Sequence, residues 1–354
     1  MIALYCQGSD MRFSKPTGTY LHMLSGRLSL ALFTFVLTGW AASSATVGGP
    51  VTGFIFDAQA GVIRPMLGIP GAAYLGTVTV TGVDAAAVAP DGSAALVLQE
   101  RGTRLVLYGG LRNGPPAAVA IRGAIAGVDH FAWSGDSSSA AVYSSASGQA
   151  QILTNLAQSP AAGAPLDLSA LPGPVTALAF DGQRIIVGVS GDSGGIYLAS
   201  PPAAAQRIAA ASSPSAIALA GASLYFADSQ SQQIWQVESY SGKPTAVLFA
   251  NDSGISSPAG LQVSADGQRL YVANAGNRKL AIYDIALRSV LEGLDLNFAP
   301  TRLDRFGDTS VFLLNNSGAG PLYVLSDGNP AKIAVYFVPS TPSNHPRKLR
   351  PRPD

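Results

Sequence analysis

Cysteine is nearly missing from this chain of 354 residues: Cys6 stands alone, so no disulfide can form within it. Charge is scarce too, at 12% against about a quarter in ordinary soluble domains. Of three histidines only His130 lies away from the two ends, which excludes a histidine cluster around a metal and a paired-histidine acid–base site. No P-loop is present, and no G-x-G-x-x-G follows a strand to open a helix, so nucleotide chemistry has no cradle. Long apolar runs are limited to Leu28–Trp40, about 13 residues, short of the roughly 20 that a membrane-spanning helix needs.

The ends differ from the rest. Residues 24–45 place basic Arg27 before that apolar run, and Ser43 and Ala45 suit a −3/−1 cleavage pattern, as in an export signal. Met11 or Met23 is an alternative start, and Cys6 lies upstream of the expected cut. Residues 1–45 therefore read as an N-terminal extension with a signal peptide, and the mature protein as secreted or periplasmic, without a membrane span. Residues 339–354 form a proline-rich, basic tail with Arg347, Lys348, Arg350 and Arg352. Proline removes backbone donors and blocks helix, so a solvated tail is expected. The domain between, 46–338, holds 15 basic and 19 acidic side chains and offers no electrostatic footprint for nucleic acid.

What is abundant is glycine (39) and proline (24), scattered between short apolar runs. One pattern recurs at a spacing of roughly 40–48 residues, the period of propellers and solenoids. In 257–285 an alternating run meets the Asp266-Gly267 turn, then an aromatic and β-branched run, an Asn/Gly turn and a third run. Ser289–Leu296 adds a fourth. Gly accepts the positive φ that a tight hairpin demands. The same order appears at Asp84–Ile121, Asp129–Leu168, Thr176–Ile208, Ser215–Phe249 and Thr301–Phe337, the last with Gly307-Asp308 as its turn. Upstream, 51–68 matches only the third and fourth strands of such a unit. The expectation is an all-β β-propeller of four-stranded antiparallel blades, with seven positions and an incomplete first blade. Six blades plus an N-terminal hairpin is the alternative.

Aligned first strands strengthen this. One column reads Ala86, Phe131, Leu178, Ile217, Leu261, Leu303, and two residues on come Val88, Trp133, Phe180, Leu219, Val263, Arg305. Between them lie Ala87, Ala132, Ala179, Ala218, Gln262 and Asp304. Period-two alternation gives each sheet a bulky face and a shallow face, which nest when sheets stack radially. The last copy departs at Asp304 and Arg305, where an ion pair or lower burial is expected.

The run Leu270-Tyr271-Val272-Ala273-Asn274 after an Asp-Gly turn resembles the core of the YVTN-type propeller repeat, and Leu224-Tyr225-Phe226-Ala227-Asp228 is similar to the NHL-type repeat. The resemblance covers most of 50–338. It implies a propeller, and it is poor for activity, because such propellers include binding scaffolds, cell-surface proteins, lactonases and lyases. Family lyases rely on histidines that this chain does not have.

Candidate site residues follow from the columns. Asp84 and Asp129 share the position before the first strand, where two acids would hold a divalent cation or act as acid and base. Each also suits a turn cap, as do Asp91, Asp136, Asp181 and Asp266. His130 and Arg302 stand where other copies have Ala or Gly, which points to the channel mouth, as ligand contacts or as a plug. The loop Asn274, Asn277, Arg278 is a second candidate surface, with turn formation as its plainer explanation. No cofactor is called for beyond a possible divalent cation. The favoured function is a non-catalytic extracytoplasmic scaffold binding a protein or carbohydrate. An envelope hydrolase or lactonase using Asp84, Asp129, His130 and Arg302 competes with it, and strand addition at an open ring edge is a third idea.

Overall fold

In the computed structural model, residues 49–307, 310–318, 320–328 and 333–339 are described; the segment expected to be an export signal, Cys6, Asp308 and the basic tail lie outside them. The described residues contain 29 strands and no helix. The strands form seven antiparallel sheets in chain order, so the chain is a seven-bladed β-propeller. Blade 1 spans 51–81, blade 2 85–120, blade 3 130–167, blade 4 175–210, blade 5 214–250, blade 6 258–295 and blade 7 304–338.

Blade 6 shows why the repeat folds this way. Its inner strand Pro258–Val263 turns at Asp266-Gly267 into Arg269–Asn274, which pairs in turn with Lys279–Asp284 and then Ser289–Asp295. Gly267 sits at φ +73°, a conformation open to glycine at little cost. The Asp266 carboxylate accepts the Gln268 amide at 3.0 Å, and Asp91, Asp136 and Asp181 likewise accept the amide two residues on. In blade 3 the innermost strand is half-buried and the second strand fully buried; the outer strand of blade 6 is almost wholly exposed.

Seven hydrophobic clusters fill the seams between successive blades. At the seam of blades 5 and 6, Ala216 and Ala218 receive Leu261 and Val263. At that of blades 4 and 5, Ala179 receives Ile217 and Leu219. Bulky columns therefore pack on the shallow face of the preceding blade, at the close contact that buried cores require. Trp133 also donates its indole N–H to the Ala87 carbonyl of blade 2 at 3.1 Å. Blades 6 and 7 add an ion pair, Arg269 to Asp327 at 3.2 Å, with both side chains largely buried.

Blade 1 departs from the sequence expectation. Its strands are β1 (Val51–Asp57), β2 (Val62–Leu67), and two short pieces, β3 (Tyr74–Leu75) and β4 (Val80–Thr81), which share the far edge of β2. The Gly68 amide donates to the Pro50 carbonyl at 2.8 Å, as Ile285 does to Gln268 at 2.9 Å in blade 6. Likewise Val83 donates to Gly61 as Leu296 donates to Arg278. These matches make 51–57 the second strand and 62–67 the third; the assignment of 51–68 to the third and fourth strands is corrected. The outer strand is broken because Pro65 offers no N–H to it. Blade 1 thus has its second, third and outer strands and lacks an innermost one among the described residues.

Ring closure is correspondingly unusual. Among the described residues no strand is shared between the two ends of the domain. Ile55, Met66 and Leu75 pack instead on Phe306, Val311, Leu313 and Val324 of blade 7. Bulk and space exchange sides here: a Cβ on Gly53 would lie 2.8 Å from the Phe306 ring. On the other side Phe54 and Phe56 face Ala86 and Val88, the smallest pair in the bulky column. Arg112 of blade 2 pins the seam, donating to the carbonyls of Asp91 (2.7 Å), Val51 (2.9 Å), Thr52 (3.3 Å) and Gly307 (2.6 Å).

Candidate functional site

The inner strands surround a cavity of about 520 Å³, within the size range of ligand pockets. Six of the blades present their inner strands to it, and blade 1 presents the second-strand residues Phe54, Ile55 and Phe56. Most of the lining side chains are apolar, including Phe131, Trp133, Leu178, Phe180, Ile217 and Leu219. Its polar members are Gln262, Arg302, Asp304 and Arg305.

These polar groups are unequally satisfied. Arg302 is bound to Asp304 through both Nε and Nη2, and its Nη1 donates to the Asn316 side-chain Oδ1 at 2.8 Å. Asp304 is thereby spent. Arg305 has one hydrogen bond, to the Val263 carbonyl at 3.1 Å, and no carboxylate pairs with it among the described residues. Burial pushes its guanidinium below the ordinary arginine range, the direction expected when a cation loses water without gaining an anion. The expected ion pair of the last copy is thus Arg302–Asp304, and Arg305 is left over.

The sequence candidates fall in several places. Arg302 lines the cavity; Asp84, Asp129 and His130 do not. Asp84 is exposed and accepts the Gly102 amide at 3.0 Å, tying the segment entering blade 2 to the turn after its second strand. Asp129 does the same in blade 3 with the Ser145 amide at 3.2 Å, and also meets His130 Nδ1 at 2.9 Å. Burial raises the Asp129 pKa, but the bonds from His130 and Ser145 outweigh it and hold the carboxyl below its usual value. The His130 ring stands edge-on to Tyr143, centroids 5.7 Å apart. Asp84 and Asp129 share no hydrogen bond. No three His, Cys, Asp or Glu side chains converge among the described residues.

Asn274, taken from sequence as part of a loop surface, is fully buried, and that placement is corrected. Its Oδ1 accepts the Ser256 amide at 3.1 Å and its Nδ2 donates to the Val272 carbonyl at 3.2 Å. Asn277 donates to the Gly254 carbonyl at 2.9 Å, while Arg278 is exposed at φ +54°. A smaller depression of about 360 Å³ lies beside Asp181, Arg184 and Tyr240. Its polar groups are already bonded: Tyr240 donates to Asp181 at 2.9 Å, and burial, then that acid, push the phenol up to about 12.

Sequence reasoning passed over Gly191-Asp192-Ser193-Gly194-Gly195, which has G-x-S-x-G spacing. It forms a turn between strands Ile185–Val189 and Gly195–Ala199, not the strand-to-helix elbow that exposes a nucleophile. The cavity residues Phe54, Phe56, Gln262 and Phe306 were also not singled out. The one signal was Arg305, a charge in an otherwise apolar column.

No family model matches the chain, and no curated protein does. Solved structures do. A protein of unknown function from Desulfotomaculum acetoxidans is similar over 82% of this chain and 100% of its own, with 14% identity and a TM-score of 0.58. The β-propeller domain of Cps50 (Swd1) from Myceliophteria thermophila is similar over 75% of this chain and 93% of its own, at 13% identity and a TM-score of 0.50. At such identities the likeness concerns the fold.

Proposed function

We propose that this protein is an exported, non-catalytic binding protein whose ligand lies in the channel cavity and combines an apolar body with an anionic group. The observation that carries this reading is Arg305: a desolvated cation, without a carboxylate, in an aromatic and aliphatic cavity. A half-buried cation without a carboxylate has lost part of its hydration, which an incoming anion replaces with charge-assisted hydrogen bonds. A propeller wall built from inner strands is rigid, so little ordering is lost on binding. The repeat belongs to the YVTN/NHL type in this reading, on Leu270–Asn274 and Leu224–Asp228, and the signal-like segment supplies export. The competing hydrolase reading has one favourable observation, the Asp129–His130 hydrogen bond, which lies apart from the cavity wall.

Thermal unfolding of the processed protein with a series of alkanoates and aromatic carboxylates, each beside its neutral amide, tests the proposal. Carboxylates should raise Tm by a few degrees at about 100 times Kd, amides should not, and Arg305→Gln should remove the difference. Equal shifts for acid and amide, or a shift that survives Arg305→Gln, would overturn it.

A further inference from the structure

Blade 1 offers something besides a charge. In an antiparallel ladder, alternate residues turn their backbone groups to opposite edges. Gly76 donates to the Pro65 carbonyl and Thr79 to the Ile63 carbonyl, both at 2.8 Å, so Ile63 and Pro65 face the outer strand. Val62, Arg64 and Met66 then face β1, and their partners Asp57, Ile55 and Gly53 face β2. Phe54 and Phe56 are left with N–H and C=O directed to the other edge, where no described strand pairs. That edge is bordered by the cavity. Elsewhere in the ring the same edge of the second strand is covered by an inner strand.

The length and chemistry of the opening are readable. Phe306 covers Gly53, and Arg112 occupies the carbonyls of Val51 and Thr52, so the free stretch runs from Phe54 to Asp57. At about 3.3 Å per residue this suits four or five extended residues. A strand there would meet Ala86 and Val88 on one side, and Phe306, Leu313 and the Arg302–Asp304 pair on the other. After that pair, Arg305 is the surplus charge. From Phe54 to Asp57 the edge carries no lysine or proline, and the one bulge of β1, between Val51 and Gly53, lies before this stretch.

We infer that the ligand is a short extended segment of another chain, bearing a carboxylate, which pairs with β1 as the inner strand of blade 1; this rests on the binding function proposed above. Backbone pairing supplies affinity and alternate side chains supply selectivity, as in β-augmentation. The chain's own ends suit the position poorly. Residues 339–354 contain five prolines and four Lys or Arg against one acid, and Ala41–Val47 contains no carboxylate. Prolines cannot donate to β1, and added positive charge would oppose Arg305.

The test uses the full processed chain, immobilised, and an end-blocked hexapeptide library with Glu fixed at the centre beside a twin with Gln. Retention of Glu peptides at least tenfold above Gln peptides, lost in Arg305→Gln, is expected. N-methylation of retained peptides should weaken binding at least tenfold at every second amide and hardly at all between, a signature that side-chain contacts alone do not give. No retention, or indifference to N-methylation at every position, overturns the inference. If carboxylates bind through Arg305 while no peptide is retained, the inference fails and the binding function stands; if neither binds, both fail. Displacement of retained peptides by synthetic 339–354 at lower concentration would assign the position to this chain's own end and overturn it.

Discussion

Blade 6 and blade 1 share a hairpin, Asn274-Ala275-Gly276-Asn277 in one and Asp57-Ala58-Gln59-Ala60 in the other, yet its first polar residue does different work. In blade 6, Asn274 reaches the Ser256 amide in the segment that enters the inner strand. Asp228 of blade 5 does likewise with the amides of Ser212 and Ser213. In blade 1, Asp57 accepts, among the described residues, only the Ala60 amide of its own turn, at 3.2 Å. In blades 5 and 6 the residue at the end of the second strand therefore clamps the incoming segment, whereas in blade 1 it bonds its turn and no described segment arrives. Blades 2 and 3 reverse the polarity, with Asp84 and Asp129 on the incoming segment and the amide on the turn.

The sharpest way to break this contrast is at the seam. A Cβ on Gly307, at φ +69°, would lie 1.9 Å from the Thr52 carbonyl oxygen, whereas Gly267, at φ +73°, has nothing within 4 Å. Gly307→Val should cost about 3 kcal/mol or more through clash and strain, and Gly267→Ala only about 1 kcal/mol. Urea unfolding of both variants checks the ordering; equal losses would mean that blade 7 does not press on blade 1. Next comes the clamp. Asn274→Ala strands a buried amide and should cost about 2 kcal/mol, whereas Asp57→Ala should stay within about 0.5 kcal/mol.

Arg112→Ala removes four bonds to carbonyls at an exposed site and should cost about 1 kcal/mol. Hydrogen exchange in β1 should accelerate in that variant while blade 6 is unchanged. The smallest effect is acid sensitivity. Asp129 is held below its ordinary 3.8 by His130 and Ser145, after burial is offset; Asp136 and Asp266 are held below it by serine hydroxyls and turn amides. A depressed carboxyl favours the folded state fully above the ordinary value and loses that contribution as pH falls through the folded value. Stability should therefore be flat above about pH 5 and decline below about pH 4, and Asp129→Asn should flatten part of the decline.

Much of this architecture was legible before any coordinates. The aligned columns from Ala86 to Leu303 placed six inner strands correctly because period-two alternation is set by which face is buried. Blade 1 was misread by one strand because second and third strands alternate alike, and only hydrogen bonds such as Gly68 to Pro50 fix their place. Its outer strand, two pairs of residues around Pro65, is too short to leave a period. The site was harder. Asp84 and Asp129 share a column at the turns and His130 stands in the next, but a column does not show which way a side chain bonds. Arg305 broke the apolar column and so was visible, whereas the cavity beside it borders an edge of β1 on which no described strand lies, and no residue spells that out.

Amide exchange along β1 in the free, processed protein bears most directly on the open inner edge. Phe54 and Phe56 should exchange fast and Ile55 and Asp57 slowly, a two-residue alternation absent from Arg269–Asn274 of blade 6. Uniform protection from Gly53 to Asp57 would mean that a strand already fills the position, and the proposed mode of recognition would be contradicted.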